Sequence, residues 1–265
     1  MSGIVINIDP MLHFGGISIN LYGLVIVVAV IVGLSITLRE AKRKGIVTDE
    51  IWGLAPWMLL AGIIGARLFH VIDRWEEYSQ DLGRIFAIQQ GGLAIWGALL
   101  GGLIAIAGYA QVRHISLRKL LDTFVPGVLA AAIIGRIACI INGDAYGGVT
   151  SLPWGFIYLN PASHIPGEYF GVPTQPYPVY EMLINGAILL LVLKLRRHIA
   201  TDGVIFFIFL SLYSIGRFAL TFLRQETEFL FGLQQAQVVS LLIFLLAGIA
   251  IVYLVKRRPV TVEAV

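Results

Sequence analysis

Long runs of hydrophobic residues alternate along the chain with short polar segments. A bilayer has a hydrocarbon core of roughly 30 Å, which a helix of about 20 apolar residues can cross. Seven runs have about this length, at approximately residues 17–38, 51–72, 91–110, 120–142, 178–195, 203–223 and 236–255. Backbone polar groups must be paired within lipid, and the two-residue alternation of barrel strands is absent, so the pattern predicts transmembrane helices.

The composition fits a membrane protein. Of 265 residues, 58% are hydrophobic and 13% are charged, whereas charged residues make up about 25% of ordinary soluble domains. We therefore expect an all-α, polytopic integral membrane protein, a single domain of residues 1–265 with seven transmembrane helices. A loop of residues 143–177 is expected to cap the outer face. Residues 1–16 hold no Lys or Arg, unlike the basic start of a signal peptide, so the first span is expected to stay in the mature protein.

The basic residues beside the spans are distributed unevenly. Thirteen lie on one side of the membrane, and three, Arg74, Arg84 and Arg224, lie on the other. Because cytoplasmic loops carry the excess of Lys and Arg, the N-terminus is predicted outside and the C-terminus in the cytoplasm. These topology signals also account for the net charge of +3, and no nucleic-acid partner is expected.

Three arginines, Arg67, Arg136 and Arg217, fall inside the predicted spans. A charge at this depth costs about 3 kcal/mol or more unless it faces a cavity or a partner. The nearby carboxylates are chiefly Glu181 and Asp144, so positive charge is in excess and an anionic guest is expected. The planar guanidinium group suits phosphate oxygens, and the natural guest within a membrane is a phospholipid headgroup.

Several of these features also have ordinary explanations. Glu181 lies near the start of a helix, where the helix dipole alone favours a carboxylate, although it could equally pair with a buried arginine or accept a proton. Tyr22 is either an interfacial aromatic or part of a site. The amphipathic segment 75–88 is expected to lie on the outer surface or to act as a gate. Cys139, the only cysteine, is expected to pack in the interior.

No zinc-ligand spacing, phosphate-binding loop motif or dinucleotide-binding turn is present in the sequence. Neither a metal nor a nucleotide cofactor is therefore expected.

The stretch GRIACIINGDAYGG at residues 135–148 resembles the signature of the prolipoprotein diacylglyceryl transferases. That signature runs GR, two residues, Asn, two residues, Asn, an acidic residue two positions on, and a closing Gly. Further similar pieces follow the family's order: LYG at 21–23, GARL at 65–68, the glycine-rich GGLAIWGALLG, PVYE at 178–181, and GRFALTFLRQ in the sixth span. The resemblance covers nearly the whole chain.

The resemblance implies a seven-span enzyme of the bacterial inner membrane. Such an enzyme transfers the diacylglyceryl group of phosphatidylglycerol to the lipobox cysteine of prolipoprotein signal peptides and releases glycerol phosphate, the first step of lipoprotein maturation. Membrane lipid and prolipoproteins would be its partners. The residues that match family positions are Tyr22, Arg136, Asn142, Asp144, Gly147, Arg217 and Arg224.

The expected roles follow from the chemistry of the reaction. Arg136 and Arg217 would clamp the phosphate as its charge develops, and Asn142 would donate hydrogen bonds to headgroup or leaving-group oxygens. Glu181 or Asp144 would take the thiol proton, unless the nearby cations acidify the thiol enough to need no base. The other residues expected to bind substrate are Tyr22, Arg67, Gly147 and Arg224.

The chain departs from the family pattern at several positions. Trp96 stands where many members have His, Cys139 where the signature has its first Asn, Asp144 where Glu is usual, and Thr221 where Glu usually follows the sixth-span Arg. Tryptophan cannot take a proton from a thiol, so a mechanism that rests on that His does not apply. Two alternatives stay open: a catalytically silent phospholipid-binding relative, which the departures would suit, and a lipid transporter, for which repeated halves would be expected.

Overall fold

The computed structural model describes residues 3–15, 17–87, 91–224 and 228–256. Seven helices within these residues are long and apolar enough to cross a membrane, which confirms the prediction of an all-α, multi-pass membrane protein. They are α1 (Leu21–Arg43), α2 (Thr48–Asp73), α4 (Ile95–Val112), α5 (Leu117–Asn142), α6 (Tyr177–Leu195), α7 (Val204–Thr221) and α8 (Gln235–Lys256). The short helix α3 (Trp75–Tyr78) follows α2, and a 3-10 turn covers Leu82–Phe86.

Three small two-stranded sheets accompany the helices. β1 (Ile4–Ile6) pairs in parallel with β4 (Phe156–Tyr158), while β2 (Met11–Phe14) pairs antiparallel with β3 (Ile17–Asn20). β5 (Glu228–Leu230) and β6 (Leu233–Gln234) form a hairpin between α7 and α8.

The first span begins later than predicted. Residues 17–20 belong to β3, and α1 starts at Leu21. Oδ1 of Asn20 accepts a hydrogen bond of 2.8 Å from the backbone N–H of Tyr22, which is the usual N-cap interaction at the start of a helix. The run of apolar residues continues across this boundary, so hydrophobicity alone does not place it.

The chain forms two compact units, residues 38–123 and residues 1–37 with 124–265. The single domain expected from the sequence stays a prediction. In the first unit, α2 and α4 approach backbone to backbone at glycines. A side chain on Gly97 would overlap the carbonyl oxygen of Gly65, and one on Gly101 would overlap that of Ala61. Small residues permit this kind of close packing between membrane helices.

In the second unit, buried apolar residues hold α5, α6 and α7 together. These residues are Val125, Leu129, Ile188, Val192 and Ile205. The packing brings the last turns of α5 and α7 next to the first turns of α6, as the ion pairs described below show.

The segment of residues 143–176 covers these helix ends. The chain leaves α5 at Gly143, whose φ of +75° favours glycine, and the N–H of Gly143 bonds the carbonyl of Cys139 at 2.9 Å. The hydroxyl of Tyr158 donates to the carbonyl of Ile140 at 3.1 Å. Burial raises the pKa of Tyr158 well above its ordinary range, so the phenol keeps its proton and this bond. A Cβ on Gly147 would lie 2.7 Å from Cβ of Gln175, so the loop closes there only around glycine.

Candidate active site

Two arginines from different helices share one buried carboxylate. Glu181 of α6 is 4% exposed. Nη1 of Arg217, from α7, donates a hydrogen bond of 2.9 Å to its Oε1. Nε of Arg136, from α5, lies 2.5 Å from Oε2, in an ion pair that lacks the alignment of a hydrogen bond. Two guanidinium groups against one carboxylate leave one positive charge in excess.

Glu181 lies beyond the first turn of α6, which contains no acidic residue. The helix dipole is strongest within the first turn, so it does not by itself account for this residue. Of the explanations offered by the sequence, the pairing with buried arginines is the one that the structure shows.

Tyr177, the first residue of α6, completes this group and was not a candidate from sequence. Its fully buried hydroxyl accepts a hydrogen bond of 2.6 Å from Nη1 of Arg217. The guanidinium carbons of Arg217 and Arg224 lie 5.8 Å and 5.2 Å from the centre of its ring, within the range of cation–π attraction. The backbone carbonyl of Arg224 in turn accepts a bond from the amide of Gln234 at 3.0 Å.

A second group of polar side chains lies at the end of α5. Cys139 is buried, as expected, and its sulfur lies 3.6 Å from Nη1 of Arg136. Nδ2 of Asn142 donates a bond of 3.0 Å to Oδ2 of Asp144, an exposed carboxylate. Tyr22 interacts electrostatically with Cys139, Asp144 and Arg136. The start of α1 therefore lies near Arg136.

Polar residues of α7 near Arg217 have two different surroundings. Tyr213 lies with Arg217 at a small cavity between α6 and α7. Its lining is Glu181, Ile184, Asn185, Tyr213, Gly216, Arg217 and Leu220. Thr221 is fully buried, and its hydroxyl donates to the carbonyl of Arg217 at 2.6 Å. At residue 221, where the family pattern has a Glu, this chain therefore has an uncharged side chain that is hydrogen-bonded within its own helix.

Arg67 lies in the unit of residues 38–123 and has partners of its own. Its guanidinium donates to the backbone carbonyls of Arg84, Ile85, Gly91 and Gly92, the last three at 2.8–2.9 Å. The partners of Arg67 are thus backbone carbonyls and not the carboxylates counted from the sequence, while its expected role in substrate binding stays a prediction. Such nonlocal carbonyl partners leave no signal in the sequence.

The chain is similar to prolipoprotein diacylglyceryl transferases along most of its length. The model of the prolipoprotein diacylglyceryl transferase family matches residues 10–253. A phosphatidylglycerol–prolipoprotein diacylglyceryl transferase of Clostridioides difficile (strain 630) is 36% identical over 243 residues, which cover 92% of this chain and 94% of the relative. One of Dehalococcoides mccartyi (strain CBDB1) is 34% identical and covers 97% of each chain. One of Lactobacillus acidophilus is 32% identical over 98% of this chain and 93% of its own.

Proposed function

The chain belongs to the prolipoprotein diacylglyceryl transferase family, and we propose that Arg136 and Arg217 bind the phosphate of its lipid substrate. The enzyme transfers the diacylglyceryl group of phosphatidylglycerol to prolipoproteins, the first step of lipoprotein maturation. Family membership supports this activity over the transporter and the silent relative. The acceptor that we propose is the thiol of the lipobox cysteine in the signal peptide.

The observation that carries the phosphate assignment is the charge balance around Glu181. Two guanidinium groups face one carboxylate, and a phosphodiester with one negative charge neutralises the excess. Both arginines are partly buried, with 26% and 23% of their side chains exposed, so a lipid phosphate can reach them without entering bulk water. Arginine forks also match phosphate oxygens geometrically.

The reaction develops charge where this pair lies. The thiolate of the lipobox cysteine attacks the glyceryl carbon, an S–C bond forms, and the C–O bond to phosphate breaks with its electron pair on the leaving oxygen. Glycerol phosphate leaves with one more negative charge than the diester carried. Positive groups held in place before this step stabilise the transition state. Glu181 acts as the positioning residue that holds both guanidinium groups.

Asp144 is the carboxylate best placed to accept the proton from the thiol of the lipobox cysteine. Both oxygens of Glu181 contact arginines, whereas Asp144 is exposed and adjoins Cys139 and Tyr22. A nearby guanidinium further favours the thiolate, which is the reactive form.

The remaining predicted residues have supporting roles in this proposal. Tyr22 lines the group around Arg136, and Arg224 flanks Tyr177 beside Arg217. Gly147 leaves room for the cap segment to close against Gln175. Arg67 binds the backbone carbonyls of residues 84, 85, 91 and 92 instead of lipid phosphate.

The same proposal includes location and orientation. The bias of Lys and Arg supports an N-terminus outside and a C-terminus in the cytoplasm of the bacterial plasma (inner) membrane. The arginine pair and the 143–176 segment then face outward, where a prolipoprotein presents its lipobox after translocation.

A direct assay tests the function and the clamp together. Purified protein in nanodiscs that contain labelled phosphatidylglycerol is incubated with a lipobox peptide, and label on the peptide cysteine is measured. We expect transfer by the unmodified protein and a loss of roughly 100-fold or more in Arg136→Ala and Arg217→Ala.

Arg118→Ala is the matched control, because Arg118 is an exposed arginine near the other end of α5. Its activity should be unchanged. Full activity in either clamp variant would refute the phosphate assignment, and lipid binding without transfer by the unmodified protein would support a silent relative.

A further inference from the structure

The side-chain carbonyl of Asn142 is a buried acceptor to which the mechanism above gives no partner. Asn142 is 8% exposed, and among the described residues its Oδ1 meets no hydrogen-bond donor. Buried acceptors are almost always paired, because leaving one without a donor forfeits the bond that water would have made. A group that donates a hydrogen bond is therefore expected at this oxygen.

The hydrogen bond to Asp144 defines the orientation of the Asn142 side-chain amide. An ionised carboxylate only accepts hydrogen bonds, so the amide NH2 group must face Oδ2 of Asp144, at 3.0 Å. The carbonyl oxygen then points elsewhere. Phosphate oxygens, which are acceptors, cannot pair with it. The NH2 group has a second N–H, so the expectation that Asn142 also donates to headgroup or leaving-group oxygens stays a prediction.

The position of Asn142 ties this oxygen to the phosphate clamp. Arg136, Cys139 and Asn142 follow one another on α5 at intervals of three residues, and residues so spaced are neighbours on a helix surface. Arg136 contacts the sulfur of Cys139 at 3.6 Å, and Cys139 also interacts with Asp144. A lipid phosphate at Arg136 would bring the group esterified to it towards Asn142.

We propose that Oδ1 of Asn142 accepts a hydrogen bond from a hydroxyl of the glycerol headgroup, and that Asp144 is the positioning residue that holds the amide in this orientation. The inference rests on the proposed binding of phosphatidylglycerol phosphate by Arg136. A headgroup hydroxyl is the donor that the substrate itself carries on that phosphate. Asn142 would thus make the site prefer phosphatidylglycerol to phospholipids whose headgroup carries no hydrogen-bond donor at this position, because these leave the acceptor unpaired.

Headgroup analogues test the proposal in the unmodified protein. Transfer to a lipobox peptide is measured from phosphatidylglycerol and from two phosphatidyl-propanediols, one without the terminal hydroxyl and one without the central hydroxyl. We expect kcat/KM to fall by about tenfold or more for one analogue. Equal use of all three lipids would overturn the proposal.

Variants at residue 142 test whether the side chain of Asn142 causes the headgroup preference. Asn142→Leu keeps a similar volume without an acceptor, so it should lose activity on phosphatidylglycerol and treat the three lipids alike. The exchange of Asn142→Asp with Asp144→Asn restores an acceptor beside an amide but removes the proposed proton acceptor, so it should recover the preference in lipid binding, measured by native mass spectrometry, and not in transfer. Asn160→Ala is the control, because the side chain of Asn160 accepts a hydrogen bond from the N–H of Ala162 in a local turn, and the lipid preference of this variant should match that of the unmodified protein.

Two further outcomes separate this proposal from the function. If Asn142→Leu keeps the full preference, the oxygen serves a bound water or the peptide, and the proposal is wrong. If the unmodified protein transfers nothing from any lipid, the proposed function fails. Lipid binding measured by native mass spectrometry then tests the role of Asn142 without transfer. The proposal requires that the unmodified protein binds phosphatidylglycerol in preference to one of the two analogues and that Asn142→Leu loses this preference.

Discussion

Glu181 holds two guanidinium groups in place between α5, α6 and α7. A buried carboxylate of this kind serves both stability and function. Without its charge, two partly buried cations lie beside each other with no anion between them. Removal of one partner from a buried ion pair costs about 3 kcal/mol or more, because the remaining charge is left uncompensated.

We therefore expect Glu181→Gln to lower thermal stability markedly in lipid nanodiscs and to reduce transfer at least tenfold. Added phosphatidylglycerol should recover part of the lost stability, since its phosphate replaces the missing anion. Thermal unfolding with and without the lipid provides the measurement. Glu77→Gln removes an exposed ion pair with Arg74 and should change stability by less than about 1 kcal/mol. Equal stability of the two variants would contradict the role given to Glu181.

The sequence predicts the charged members of this site more readily than the uncharged ones. Arg136, Arg217 and Glu181 are conspicuous because ionised side chains are expensive in an apolar span. Tyr177 is not conspicuous, because a tyrosine at a helix start has an ordinary interfacial explanation. Only the packing of α6 against α7 brings its hydroxyl within 2.6 Å of Arg217.

At the level of elements, Arg67 organises the segment that follows α3. Four bonds run from its guanidinium to backbone carbonyls of residues 84, 85, 91 and 92. The sequence suggested an amphipathic surface segment or a gate over residues 75–88, and the structure has a four-residue helix and a 3-10 turn within it. The amphipathic pattern does not reveal these bonds, which depend on residues far apart in the chain.

We expect Arg67→Gln to speed amide hydrogen exchange in peptides that cover residues 82–94, because a glutamine cannot replace four bonds. Transfer should fall less than in Arg136→Ala. Arg74→Gln is the control, since Arg74 makes an exposed pair with Glu77 and its loss should leave exchange unchanged. Unchanged exchange in Arg67→Gln together with weaker lipid binding would instead support the substrate-binding role first expected of Arg67.

The glycines between α2 and α4 permit a second test at this scale. Gly97→Ala places a methyl group against the backbone of Gly65 and should destabilise the protein by about 1–3 kcal/mol. Gly102→Ala, in the same helix, meets nothing within 4 Å and should be neutral or slightly stabilising through helix propensity. Thermal unfolding of both variants provides the comparison. Similar behaviour of the two would refute the close approach of α2 and α4.

At the level of the whole molecule, hydrophobicity predicts the number of spans well and their ends poorly. Long apolar runs fix seven helices, but the start of α1 depends on the side chain of Asn20 and on strand pairing of residues 17–20. Division into two compact units follows from which helices pack together, and the order of apolar runs does not encode this packing.

The orientation of the whole chain in the membrane can be tested with reporter fusions. Alkaline phosphatase is active only outside the cytoplasm, and green fluorescent protein exported through the general secretory route does not fluoresce. Fusion after Lys256 should therefore fluoresce and show no phosphatase activity, whereas fusion within residues 160–168 should show the reverse. The opposite pattern would refute the proposed topology and move the arginine pair to the cytoplasmic face.

The unequal charges around Glu181 also have a consequence for turnover. Phosphatidylglycerol brings one negative charge to the pair, whereas glycerol phosphate, a monoester, carries nearly two at neutral pH. Arg136 and Arg217 therefore hold the departing product more strongly than the arriving lipid headgroup. Thr221 adds no carboxylate that would offset this attraction. We expect slow product release and competitive inhibition by glycerol phosphate, so the arrangement that speeds the chemical step also limits how fast the enzyme becomes free for the next lipid.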